Sequence, residues 1–253
     1  AIVRKAGRIK TGELLEFCSG RLRAVAQERL EEGKWLLSFE EAELLKERLE
    51  EFGLPPLPPY IERRQASDLQ NEEDRERYQT CFASEPGAIA APTAGLHFTP
   101  EILSAIRKRG IDILEVTLHV GLGTFSSIEV EDIRQHKMHT EFFSVTSQTL
   151  EQLKKYRLNQ KKIICLGTTS VRVLETLAQQ NFQHSSGWTD IFIHAPYEFR
   201  MMAGLLTNFH LPKSTLMILV SAFCGRDFLL SAYKQAIDHN YRFFSYGDCM
   251  LIL

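Results

Sequence analysis

The spacing of apolar residues changes along the chain, and the changes mark its elements. Between Arg8 and Phe39 the runs Leu14 to Phe17 and Trp35 to Phe39 are separated by polar turns at Lys10-Thr11-Gly12 and Glu31-Glu32-Gly33. That is the pattern of short antiparallel strands. Ser38, with Glu41 three residues on, reads as a capping box, in which each side chain meets a free backbone donor at a helix start. A charged helix to Phe52 follows, with Gly53 as a left-handed cap. Pro55, Pro56, Pro58 and Pro59 then exclude helix and impose an extended connector. The expected division is residues 1–53, a partial small β-barrel-like domain with its following helix, and residues 54–253, an α/β domain.

Beyond the prolines a second charged helix is expected from Asn71 to about Ser84, then an apolar strand at Ala88 to Ala91. Thr99 with Pro100 starts a helix that ends at Gly110, and Ile111 to Val120 reads as a buried strand. Helices at Ser147 to Tyr156 and Ser170 to Gln179 alternate with strands at Lys162 to Leu166 and Asp190 to His194. Leu216, Met217, Leu219, Val220 and Phe223 follow helical spacing, with Gly225 as a stop, and a further helix runs from Asp227 to His239. Tyr241 to Tyr246 and Met250 to Leu253 read as closing strands. Such alternation predicts an α/β fold: a mixed sheet or barrel-like large domain covered by helices, with part of a small antiparallel β domain at the N-terminus.

With 253 residues, 44% hydrophobic and 25% charged, the chain has the apolar content for one sizeable core and a smaller unit. Its net charge of −2 supplies no global positive field, so any nucleic-acid contact must use a local patch. The basic clusters Arg4-Lys5, Arg8-Lys10 and Arg63-Arg64 are such patches, although short clusters commonly serve as a solvated face. Cys18, Cys81, Cys165, Cys224 and Cys249 are scattered, without metal or redox spacing, which points to a reduced, cytoplasmic protein. The apolar run Leu216 to Cys224 is far short of the roughly 20 residues of a membrane span. The chain opens on Ala1 directly into strand-like sequence, so part of a longer polypeptide is expected to precede it.

The clearest site grammar is Lys162 to Leu166 running into Gly167-Thr168-Thr169-Ser170 and a helix. Glycine permits close backbone approach there, and hydroxyls and free helix N–H groups face an anion or carboxylate. Ser170 or Thr169 is equally suited to capping the helix. Arg172 in the first turn opposes the helix dipole, which favours an anionic partner. His119-Val120-Gly121-Leu122-Gly123-Thr124-Phe125 lacks the third glycine of a dinucleotide fingerprint, since Ser126 follows, and reads instead as a ligand loop at the sheet's carboxyl edge. His136-Lys137-Met138-His139, with Glu141 beyond, does not complete a metal motif. His97 and His210 sit in loops beside apolar residues, where a histidine is a proton-transfer group or a hydrogen-bonded structural one.

Taken in order, Ala91 to Thr99, His119 to Phe125, His136 to His139, Gly167 to Arg172, Thr207 to Thr215 and Arg242 to Asp248 resemble the signature stretches of one family. It is the S-adenosylmethionine:tRNA ribosyltransferase-isomerase family of queuosine synthesis, and the likeness runs from about Arg8 to Leu253. The resemblance implies transfer and isomerisation of the ribosyl part of S-adenosylmethionine onto 7-aminomethyl-7-deazaguanine in the tRNA anticodon loop. Epoxyqueuosine-tRNA forms, and adenine and methionine leave. S-adenosylmethionine is then a substrate, and no cofactor or metal is called for.

On that basis His97 and His210 are the candidate acid and base, in either order, with Asp248 assisting. Thr168, Thr169, Ser170 and Arg172 are candidates for the methionyl carboxylate or ribose hydroxyls, and Arg63, Arg64 and Lys137 for tRNA contact. A monomer without membrane attachment is expected. Family members begin with a segment of roughly a hundred residues, the scale of a small domain. Its Asn-Asp-Thr-Arg stretch has no counterpart here, so parts of both domains are expected to lie outside the chain. Pro196 stands where members often have glycine, which restricts that loop. Two rivals remain: a non-catalytic tRNA-binding remnant of this enzyme, and an α/β enzyme acting on a small phosphorylated ligand at the Gly167 turn.

Overall fold

The computed structural model describes residues 1, 3, 6–30, 33–54, 56–58, 60–61, 68–88, 90–121, 128 and 130–253. The chain forms two units, Ala1–Pro55 and Pro56–Leu253.

In the first unit, β1 (Leu14–Phe17), β2 (Leu22–Arg29) and β3 (Trp35–Phe39) form an antiparallel sheet in that order. Ala24, Ala26 and Trp35 are buried beneath it. The expected capping box does not form: Ser38 pairs with Val25 in the ladder, and a short 3-10 turn at Ala42–Leu44 precedes α1 (Leu45–Phe52). Gly53 is likewise not left-handed, with φ −65°. A glycine is needed there for close approach, because a Cβ would lie 2.2 Å from the Leu49 carbonyl oxygen.

The second unit is a mixed α/β structure. It contains α2 (Asp68–Arg77), α3 (Pro100–Lys108), β4 (Thr117–Leu118), β5 (Glu141–Ser144), α4 (Ser147–Leu158), β6 (Ile163–Leu166) and α5 (Gly167–Gln179). Then come β7 (Ser186–Thr189), β8 (Met202–Asn208), α6 (Thr215–Cys224), α7 (Arg226–Asp238) and β9 (Cys249–Ile252). Two three-stranded sheets result, β4-β5-β7, all antiparallel, and β6-β8-β9, in which β6 and β8 are parallel. Among the described residues neither is closed into a barrel.

Helix starts follow the local chemistry. Thr99 caps α3 ahead of Pro100, Thr146 caps α4 and Ser214 caps α6, each oxygen accepting a first-turn N–H. Helix α5 is the centre of the core: Val171, Val173, Leu174 and Leu177 are buried, packed against β6, β8 and β4. Burying each such side chain contributes roughly 1.5–3 kcal/mol. Phe143, Phe182, Leu205 and Val220 complete this core.

Four strand expectations fail. Of Ile111 to Val120, among the described residues, Thr117–Leu118 form the strand paired with β5, His119 adds one N–H bond to the Phe142 carbonyl, and Ile111 is exposed. Asp190 to His194 carries no ladder, the strand lying earlier at Ser186–Thr189. Tyr241 to Tyr246 forms a turn with Phe244 at φ 69°. Ala88, Ala90 and Ala91 are not in a strand, and residue 89 lies outside the described residues. Among the described residues no single helix is long and apolar enough to cross a membrane.

Candidate functional site

Because β6 and β8 are parallel, with Cys165 beside Leu205 and Leu166 beside Leu206, both deliver their carboxyl ends to one edge of the sheet. Ligands of open α/β sheets bind at such edges. Gly167, at φ +80°, turns the chain from β6 directly into α5, in a conformation that costs an L-residue roughly 1–2 kcal/mol. A cavity of about 100 Å³ lies at this edge, walled in part by Thr168, Thr169, Asn208, His210, Tyr60 and Ser245.

His210 follows the end of β8, and its Nε2 lies 2.8 Å from Thr207 Oγ1. Its main-chain N–H donates to Tyr233 Oη at 2.7 Å. Burial depresses the imidazole pKa to about 4, so the ring is neutral at pH 7. Tyr60 also lines this cavity, its hydroxyl 2.6 Å from Ser245 Oγ and its ring 4.9 Å from that of Phe244.

His97 ends the 3-10 turn Thr93–His97 and faces a different cavity, of about 640 Å³. Ser245 borders both cavities, and Asn208, which lines the smaller one, has its Nδ2 3.2 Å from His97 Nε2. Burial lowers the pKa of His97, with the Asp248 carboxylate opposing and the Arg242 guanidinium adding to the effect. Asp248 itself accepts from the Arg242 main-chain N–H at 2.7 Å and from its Nη2 at 2.9 Å. That pairing holds its carboxyl below the usual range, so Asp248 is an anion that braces the 242–248 turn.

The hydroxyl-rich turn divides similarly. Thr168 and Thr169 line the smaller cavity, whereas Ser170 donates back to the Leu166 carbonyl at 2.8 Å. Arg172 is buried behind the wall, where its Nη1 bonds the carboxylate of Glu141, and the other oxygen of Glu141 accepts the Gly121 N–H at 2.9 Å. The anionic partner expected for Arg172 therefore comes from the protein itself. Lys137 is exposed beside His136, whose ring packs on Phe192 at 5.1 Å. Arg63, Arg64 and residues 122–127 of the glycine loop lie outside the described residues. Sequence reasoning missed Asn208 and the role of Glu141, because a lone amide or carboxylate carries no recognisable spacing.

A crevice at the ends of parallel strands, walled by threonine hydroxyls and a neutral histidine, sits where open α/β sheets carry their small-ligand sites. The family of queuosine biosynthesis proteins matches residues 1–252. S-adenosylmethionine:tRNA ribosyltransferase-isomerases from two strains of Staphylococcus epidermidis are each 47% identical over 254 residues, which cover 100% of this chain and 72% of theirs. The solved S-adenosylmethionine tRNA ribosyltransferase of Thermotoga maritima is 34% identical, with a TM-score of 0.52, over 100% of this chain and 69% of that one. The chain belongs to the queuosine biosynthesis protein family, as its six ordered loop stretches implied.

Proposed function

We propose that this enzyme transfers and isomerises the ribosyl group of S-adenosylmethionine onto 7-aminomethyl-7-deazaguanine in tRNA, giving epoxyqueuosine-tRNA with loss of adenine and methionine. The observation that carries the reading is the convergence of Thr168, Thr169 and His210 on one crevice at the strand ends, in a chain of this family. A cavity of about 100 Å³ matches a fragment such as a ribose or an amino acid. The neighbouring cavity of about 640 Å³ falls within the roughly 300–1,000 Å³ of small-molecule sites. Their sizes support a reading in which the two cavities serve a donor and an acceptor base.

The sulfonium of the donor acidifies its C5′ protons, so a base that removes one of them starts the loss of adenine, and an acid protonates the departing ring. The aminomethyl nitrogen then attacks the activated ribose carbon. In this reading His210, which lines the smaller cavity as a neutral ring, is one of the two candidate proton-transfer groups. His97, bonded to Asn208, supplies a proton or a hydrogen bond in the larger one. Asp248 acts through the turn that it braces and through its field at His97.

His97→Ala and His210→Ala are each expected to lower kcat by about 10²- to 10⁴-fold, the usual range for general acid–base groups. Thr168→Val with Thr169→Val is expected to raise the KM for S-adenosylmethionine. Full turnover in both histidine variants would refute the assignment of roles. Competition by a small phosphorylated ligand, with no effect of tRNA, would replace the reading altogether.

A further inference from the structure

Asn208 ends β8 with only 2% of its surface exposed, and its amide meets three neighbours. Thr93 Oγ1 donates to Oδ1 at 3.2 Å, Nδ2 donates to the Phe244 carbonyl at 3.2 Å, and Nδ2 lies 3.2 Å from His97 Nε2. The Phe244 carbonyl fixes which end of the amide is which. It can only accept, so the atom that faces it must be the NH₂ group, while a threonine hydroxyl is free to donate to the oxygen at the other end. The same NH₂ faces His97, which leaves Nε2 a single role, that of acceptor. A neutral imidazole whose Nε2 accepts carries its proton on Nδ1.

We propose that Asn208 is a positioning residue that locks His97 in the neutral Nδ1–H tautomer, so that His97 serves its cavity as a hydrogen-bond donor from Nδ1 and not as a base from Nε2. The inference rests on the proposed function for the importance of His97, but not for its tautomer. It also separates the two histidines chemically: His97 donates from Nδ1 to its cavity, whereas His210 is a neutral ring bonded to Thr207 Oγ1. Protonating His97 at Nε2 would set two donors against each other 3.2 Å apart. The charged groups around it are Asp248, which favours the cation, and Arg242, which opposes it, with Glu73, Asp74, Glu76 and Arg77 bordering the same cavity.

The test is long-range ¹H–¹⁵N correlation of ¹⁵N-imidazole-labelled protein across a pH series, with His97 assigned by comparison with His97→Gln. The expected spectrum has His97 Nδ1 protonated and Nε2 bare above its pKa. In Asn208→Asp the carboxylate can only accept, so the proton is expected to move to Nε2 and the His97 pKa to rise by about one unit or more. The matching limb of the pH–rate profile should move with it. A bare Nδ1 in the wild-type protein overturns the proposal whether or not the variant folds, and so does an Asn208→Asp variant with unchanged tautomer and pKa. If the tautomer is as expected and no ribosyl transfer is detected, the functional reading falls and the tautomer assignment stands.

Discussion

Glu141 and Arg172 form an ion pair sealed from solvent, with side-chain exposures of 4% and 6%. The pair joins β5 to the first turns of α5, and through the Gly121 N–H it also holds the chain that leaves β4. Val120, Thr168 and Thr169, which line the smaller cavity, are therefore spaced by one buried carboxylate. Nε and Nη2 of Arg172 are buried without a hydrogen-bond partner among the described residues, so the pair is incompletely satisfied. Removing one partner of such a pair strands a buried charge, at about 3–5 kcal/mol. Glu141→Gln is expected to lose that much stability in urea unfolding, and the double variant with Arg172→Met to recover most of it. Equal stability of the single variant and the wild type would show that the pair contributes nothing.

Glu175 has no exposed surface and accepts four hydrogen bonds, from the main-chain N–H groups of Arg200, Met201 and Met202 and from the Tyr197 hydroxyl. It fixes the entry into β8. The Tyr197 hydroxyl is pushed up to about 12 by burial and by this carboxylate. Glu175→Ala leaves several buried donors without acceptors, each at about 1–3 kcal/mol, and is expected to unfold at much lower urea concentration. A midpoint within experimental error of wild type would contradict the arrangement.

Stability should fall on mild acidification, in part through His210. Its pKa is lowered from 6.5 to about 4 by burial. Above pH 6.5 the ring is neutral in both folded and unfolded states. Between 6.5 and 4 the unfolded chain binds a proton that the folded chain refuses, so stability falls with pH by up to about 3 kcal/mol. The lowered pKa of His97 acts in the same direction. His210→Asn is expected to lose less stability than wild type between pH 7 and pH 5, as read from urea unfolding at each pH. Parallel losses would show that His210 titrates normally.

Gly167 offers a test of the turn that carries the hydroxyls. Among the described residues a Cβ at this position would meet only Ala94 Cβ, at 3.5 Å, so Gly167→Ala is opposed there by backbone conformation and not by a clash. The expected cost is about 1–2 kcal/mol of stability, together with weaker binding of S-adenosylmethionine as Thr168 and Thr169 shift. Unchanged affinity by calorimetry would mean that the turn does not hold the ligand.

The Gly167 turn was legible because its signals are local: an apolar strand, a glycine, consecutive hydroxyls and a helical run lie within one stretch. Helix α6 and its stop at Gly225 were legible for the same reason. Strand β8 was not, since it is buried on both faces and loses the alternation that marks a strand, with Gly204 pressed between Leu253 and Ile164. The aromatic run Tyr241 to Tyr246 has strand propensity, but Phe244 takes a left-handed conformation so that its carbonyl reaches Asn208. The charge misfit of Arg172 was real, and its resolution by Glu141 depends on a contact 31 residues away that no spacing reveals. Likewise His97 and His210 are candidates by type, and the packing of Thr93–His97 against β8 is what brings Asn208 to His97.

The central claim is tested most directly by incubating the protein with S-adenosylmethionine and tRNA that carries 7-aminomethyl-7-deazaguanine, and measuring free adenine together with the mass of the modified nucleoside. The expected result is tRNA-dependent adenine release in step with the appearance of epoxyqueuosine. Binding of both substrates with no adenine released would contradict it and identify the chain as a tRNA-binding relative without turnover.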